Sequence, residues 1–144
     1  MRIESCSIVV DSYAWIELFA GTEVGRVVKE WIERSREAYT PSIVLAEVAR
    51  KYVREGASWS VVVERIEAIE ELTTVIYIDR RVALESAKAY MELVNHAKNL
   101  GLRSRPSLAD AIVLAVARIL RAKILTGDEH FRGLDNVVWL RQGP

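Results

Sequence analysis

One cysteine, Cys6, stands in the 144 residues, so no internal disulfide can form and no multi-cysteine zinc site can be built. Cys6 is read as a small apolar strand residue. The two histidines, His96 and His130, are far apart in sequence and have no cysteine at ligand spacing; His96 is read as a surface or satisfied histidine and His130 as a loop-packing one. No apolar run approaches the ~20 residues of a membrane span. Met1 to Cys6 leads straight into a strand-like segment with no signal-peptide pattern, so a cytoplasmic location is expected. Neither sign of charge is in excess, with 20 basic against 20 acidic residues. The chain as a whole therefore exerts no pull on nucleic acid, and any such binding needs a local patch. Gln142 is the only glutamine and asparagine occurs only at Asn95, Asn99 and Asn136, a depletion of thermolabile residues that fits a heat-adapted source.

What is present is an ordinary globular composition, 51% hydrophobic and 28% charged. The length suits a single domain over residues 1–144 with a core of its own, and there is no linker, internal repeat or low-complexity segment. Ser7 to Val10 is a short β-branched run that reads as a strand buried on both faces and ends at Asp11. Tyr13 to Ala20 is a very apolar helix stopped by Gly21, read either as core or as a segment whose Trp15 or Phe19 meets a partner chain. A second helix carries Val24, Val27, Val28, Trp31 and Ile32 on one face. Glu37 to Thr40 reads as a strand, with Thr40 capping a helix that starts at Pro41 and buries Val44, Leu45, Val48, Ala49 and Tyr52. Glu47 lies off that stripe, beside Arg50 and Lys51, and by periodicity alone is a solvated glutamate.

A fourth helix runs from Trp59 to about Leu72, its glutamates forming a solvated face. Thr74 to Ile78 reads as the third strand, and Asp79 as the cap of a long helix with Ala83, Ala87, Tyr90, Met91, Val94 and Ala97 on its inner side. The basic loop Lys98 to Pro106 then delivers the chain to Ser107 to Leu120. From Leu108 to Leu120 it is apolar around the whole helical circumference, interrupted only by Asp110 and Arg118. A carboxylate there must be hydrogen-bonded, protonated, paired or turned to a polar cleft. Asp110 is either the third residue of a capping box opened by Ser107 or a metal ligand at the mouth of a cleft. Lys123 to Thr126 and Val137 to Leu140 complete the strands, with Asp128, His130 and Asp135 in the loop between them; Asp135 is read as a turn residue.

Strands alternating with helices imply an α/β fold with a parallel sheet covered on both faces. Ligands bind such sheets beyond the carboxyl ends of the strands. Asp11 and Asp128 follow strands, and Glu47 and Asp110 lie in the first two turns of helices, so four carboxylates can converge at that edge. Asp79 satisfies the same rule. Clustered carboxylates protonate unless a cation neutralises them, and an all-oxygen set suits Mg²⁺ or Mn²⁺, which also take phosphate oxygens. The chemistry that follows is hydrolysis of phosphodiester bonds.

Asp11-Ser12 after a β-branched strand, Thr40-Pro41 leading to Glu47, Ser107-Leu108-Ala109-Asp110-Ala111, and Leu125-Thr126-Gly127-Asp128-Glu129-His130-Phe131 together resemble a PIN domain. Over essentially the whole chain, their order and spacing resemble the VapC-type toxins most closely. The resemblance implies five parallel strands flanked by helices and a Mg²⁺- or Mn²⁺-dependent endoribonuclease. It implies that Asp11, Glu47, Asp110 and Asp128 are the catalytic, metal-holding acids, with Ser12 and Thr126 supporting them. It also implies a small antitoxin partner and a homodimer. Arg103 and Arg105, just before Asp110, are candidates for contacting RNA phosphates. Two further PIN readings stay open: a nuclease of RNA maturation or repair, and an inert scaffold that binds RNA or protein. A haloacid-dehalogenase-type site would need a second aspartate where Tyr13 stands, and a response-regulator receiver would need a late lysine in a position this chain does not convincingly provide.

Overall fold

The computed structural model describes residues 2–141; Met1 and residues 142–144 lie outside that span. Among the described residues, five strands form one parallel sheet: β1 (Ser7–Val10), β2 (Glu37–Pro41), β3 (Thr74–Ile76), β4 (Lys123–Thr126) and β5 (Val137–Trp139). Six helices connect them: α1 (Ser12–Ala20) and α2 (Glu23–Arg34) after β1, α3 (Ser42–Arg54) and α4 (Trp59–Leu72) after β2, and α5 (Arg80–Leu100) and α6 (Leu108–Leu120) after β3. Single 3₁₀ turns occupy Ile3–Ser5 and Glu129–Phe131.

The strand order β3-β2-β1-β4-β5 places the site. From β1 the chain builds outward through β2 to β3, then α5 and α6 carry it back to the other side of β1, where β4 and β5 are added. The direction of winding therefore reverses between β1 and β4, and in open parallel sheets the crevice at such a reversal is where ligands sit. Ile8, Val9 and Val10 on the central strand have no exposed surface, as expected for a β-branched strand covered on both faces. Helix α6 is buried from Ala111 through Val116 to Ala117 and packs against α5.

Three expectations need correction. Thr40 does not cap α3, because the strand continues through Pro41, which pairs with Ile76, and α3 begins at Ser42 without a side-chain cap. The buried Thr40 hydroxyl instead accepts the Trp15 indole N–H at 3.2 Å and lies 2.7 Å from the Thr73 hydroxyl, which donates to the Ile69 carbonyl at 3.0 Å. This relay ties α1, β2 and the end of α4 together, and it places Trp15 wholly inside, with Phe19 stacked on it. Trp15 thus belongs to the core and does not meet a partner. The buried face of α5 is Val82, Ser86, Ala89, Leu93 and Ala97, with Met91 and Leu84 exposed. Ser86 can face inward because its hydroxyl donates to the Val82 carbonyl at 2.7 Å. Strand β3 also stops at Ile76, leaving Tyr77 and Ile78 exposed.

Helix α2 crosses α1 at Gly25, where an added Cβ would stand 2.9 Å from the Leu18 Cα and closer still to the Glu17 carbonyl. Glycine inside a helix ordinarily gains stability on conversion to alanine. Here the neighbouring atoms are backbone, so the sign reverses: Gly25→Ala should destabilise by about 1–3 kcal/mol and lower the thermal midpoint followed by circular dichroism. An unchanged or raised midpoint would show that the two helices can part without cost.

Candidate active site

Val10 pairs with Leu125, so the next residues on the two strands, Asp11 and Thr126, stand side by side at the reversal point. The Thr126 hydroxyl donates to Asp11 Oδ2, and the Ala14 amide donates to Oδ1 at 3.0 Å, making Asp11 the N-cap of α1. The same Thr126 oxygen accepts the Asp128 amide at 3.0 Å. Asp128 in turn caps the 3₁₀ turn through the His130 amide, 2.9 Å from its Oδ1. Between them, Gly127 is required by space: a Cβ would lie 2.5 Å from the Tyr13 ring.

At the start of α6 both halves of a capping box are present, Asp110 N–H to Ser107 Oγ at 3.0 Å and Ser107 N–H to Asp110 Oδ2 at 2.9 Å. The two sequence readings of Asp110 are therefore compatible. The cap engages Oδ2, and the carboxylate still faces Asp128 and His130, whose Nδ1 is 3.9 Å from that oxygen. Glu47, expected to be solvated on periodicity alone, is half-buried, with the Ser12 hydroxyl favouring its charged form. Asp79 caps α5 through the Val82 amide at 2.9 Å and follows the edge strand β3, two strands away from β1. Asp135 lies in a turn and lines a separate open depression of about 600 Å³ beside Arg121 and Lys123, at the opposite end of β4.

Burial pushes the Asp11 carboxyl up to about 8, against the hydrogen bonds from Thr126 and Ala14, and the charges of Asp128 and Glu47 add to the rise. Burial also raises Glu47, helped by Asp110 and opposed by Ser12 and Arg50. Asp110 is raised by burial and by Asp128, against its Ser107 bonds and His130. Each acid thus feels at least one of the others, which is the electrostatic sign of a shared site. His130 resists charging through burial, but the Ser104 carbonyl and the charges of Asp128 and Asp110 outweigh that and raise it. Asp110, Asp128 and His130 each offer a ligand atom within 4.8 Å of the others. The cleft beside the cluster, about 410 Å³, is lined by Ser12, Tyr13, Glu47 and Asp128 and by the cations Arg50 and Arg54 of α3. Those cations and His130 are the residues that sequence reasoning passed over. For α3 the signal was the i, i+4 spacing of Arg50 and Arg54, whereas His130 reaches the site through contacts 26 residues away in sequence, which no local pattern reveals.

The PIN domain family model matches residues 8–137. The chain belongs to the PIN domain family. A search of curated proteins finds no match. Among solved structures, a toxin–antitoxin complex from Klebsiella pneumoniae is 21% identical with a TM-score of 0.68, covering 94% of this chain and 98% of that one. VapC20 of Mycobacterium tuberculosis, a sarcin–ricin loop cleaving toxin, is 23% identical with a TM-score of 0.65, covering 90% and 96%. PAE2754 of Pyrobaculum aerophilum is 16% identical with a TM-score of 0.61, covering 94% and 90%. At these identities the likeness is one of fold, and the PIN-type five-stranded parallel sheet agrees with it.

The buried acids have a consequence for pH. Asp11 holds its proton up to about pH 8 in the fold but only to its ordinary value of 3.8 when unfolded. Between these values the folded state binds more protons, so stability falls as pH rises through the window and the loss is complete above it. Metal-free protein should therefore melt lower at pH 8 than at pH 5, a drop of the order of a few kcal/mol shared with Glu47 and Asp110. Asp11→Asn should flatten that slope. Equal slopes in the parent and the variant would show that Asp11 is ionised in the fold throughout.

Proposed function

We propose that the chain is a divalent-metal-dependent endoribonuclease that hydrolyses RNA phosphodiester bonds and is the toxin of a toxin–antitoxin pair. The observation that carries this is the convergence of Asp11, Glu47, Asp110 and Asp128, from four separate segments, at the winding reversal of a PIN-type sheet. Asp11, Glu47 and Asp110, each raised by burial and further by the charge of another acid of the cluster, have with Asp128 the chemistry of a site for a small hard cation such as Mg²⁺ or Mn²⁺, whose charge would oppose those shifts. The donor set fits. When bound there, such an ion supplies an activated water and neutralises charge building on the phosphate and the leaving oxygen.

The protein's own residues divide the remaining work. Thr126 fixes Asp11 through its hydroxyl proton and the Asp128 turn through its oxygen, so one side chain sets the spacing of two acids. Ser12 favours the charged form of Glu47. RNA fits as substrate because cations flank the acids on two sides: Arg50 and Arg54 along the cleft, and the exposed Arg103 and Arg105 on the loop that His130 anchors through Ser104. The relative that cleaves the sarcin–ricin loop supports RNA, and the toxin–antitoxin complexes of the same fold support a small antitoxin as partner. Val53 and Trp59, 52% and 71% exposed at the α3–α4 turn, give such a partner apolar surface to cover. A homodimer and a cytoplasmic location belong to the same reading.

In an assay of RNA cleavage with Mn²⁺, Asp11→Asn, Glu47→Gln, Asp110→Asn and Asp128→Asn should each lose roughly a hundredfold or more, the scale of removing one electrostatic contact to a transition state. Asp79→Asn should stay active, since asparagine also caps helices well. Mn²⁺ should raise the thermal midpoint of the parent and not that of the Asp11→Asn, Asp110→Asn double variant. A folded and fully active Asp110→Asn would return that residue to capping alone. Arg103→Ala with Arg105→Ala should weaken binding to single-stranded RNA and shrink its salt slope by about 0.7 for each phosphate that is no longer neutralised. Parental affinity and slope in that variant would take the loop out of the interface.

A further inference from the structure

His130 lies inside the acid cluster with its ring orientation fixed from outside it. Nε2 is 3.1 Å from the Ser104 carbonyl oxygen and 3.3 Å from the Ser104 hydroxyl; the carbonyl, the nearer of the two, can only accept, so the tautomer that makes this bond carries its proton on Nε2, with the hydroxyl turned to accept. In the neutral ring that leaves the lone pair on Nδ1. Nδ1 points at two carboxylates, 3.1 Å from Asp128 Oδ1 and 3.9 Å from Asp110 Oδ2. A lone pair facing two carboxylate oxygens is repulsive unless a proton or a cation lies among the three atoms. Adjacent and opposite ligands of an octahedral ion with bonds of about 2.1 Å stand about 3 and 4 Å apart, so the two spacings suit atoms that share one ion. The ring is mostly buried, its side chain 13% exposed, and its Ser104 bond is the carbonyl anchor that metal-binding histidines use to set their tautomer.

We propose that His130 Nδ1 is a metal ligand alongside Asp110 and Asp128, and that it selects Mn²⁺ over Mg²⁺. This rests on the metal-dependent reading above. Mg²⁺ is bound through oxygen and keeps its waters, whereas a mixed nitrogen and oxygen set favours a first-row transition ion. The imidazole also links the two candidate RNA-binding features, because the bond that fixes its tautomer comes from the backbone of the loop bearing Arg103 and Arg105.

The test is pulsed electron paramagnetic resonance on the whole protein loaded with Mn²⁺ alone. The parent and His96→Gln should show nitrogen modulation from a directly bound imidazole, changing as expected when histidine is labelled with ¹⁵N, and His130→Gln should lack it. His130→Gln should also bind Mn²⁺ on the order of tenfold or more weaker with little change for Mg²⁺. Bound Mn²⁺ without nitrogen modulation in the parent overturns the ligand assignment and leaves the four-acid reading standing. If Mn²⁺ does not bind the parent at all, both fail. The decisive spectrum is that of the parent, so the outcome does not depend on how well His130→Gln folds.

Discussion

A carboxylate at the end of a fully buried strand is the constraint around which this molecule is built. Asp11 is 4% exposed, and the three residues before it are wholly inside. Its two oxygens can stay there only because each has a donor, the Ala14 amide on one side and the Thr126 hydroxyl on the other. Both donors are fixed by larger elements. The first exists because α1 begins at Ser12, and the second because β4 lies beside β1 in a register that sets Thr126 next to Asp11. The crossover through α5 and α6, which brings β4 to that position, is therefore what completes the environment of a residue more than a hundred positions earlier.

The local chemistry that holds the acids is helix capping. Asp11, Asp110 and Asp128 each accept a backbone N–H at the start of a helical turn. Such positions are favourable for negative charge in their own right, since the unpaired amides and the helix dipole both point at the carboxylate. Capping takes one lone pair and fixes the orientation of the carboxylate, and since each oxygen has a second lone pair the residue can be a structural element and keep acceptor capacity for a ligand. Asparagine keeps the capping acceptor and removes the charge, which is why the two roles can be separated by experiment at these positions.

How far the sequence could be read follows from the range of the forces involved. The places of Asp11, Asp110 and Asp128 in the fold were legible because strand ends and helix starts are local signals, and the parallel sheet followed from the alternation of elements. The switch point explains what that rule alone could not: Asp79 also follows a strand, but β3 is at the sheet edge. Glu47 looked solvated because it lies beside the buried stripe of Val44 and Val48, and only the meeting of α3 with α1 and α6 encloses it. The face of α5 was misplaced because its alanines suit either side, while a serine that satisfies its own hydroxyl within the helix can be buried as readily as they are. Thr40 looked like a cap because Pro41 suits a first helical turn, but the proline is held in the sheet by its pairing with Ile76.

The site also sets how stability is distributed. Bringing mutually repelling carboxylates out of water opposes folding, so the remainder of the chain must hold them in place. Helix α6 does this directly, with Ala111, Leu114 and Ala117 at no exposed surface, and its alanines let the helix sit close against its neighbours. That rigid support keeps the acids together when they would separate to relieve their charge. In the proposed metal-bound state a cation would offset that repulsion, and by binding only the folded protein it would stabilise the fold by mass action. Loading and folding would then be coupled through one electrostatic quantity, so that a change relaxing the repulsion among the acids would also weaken the hold on the ion.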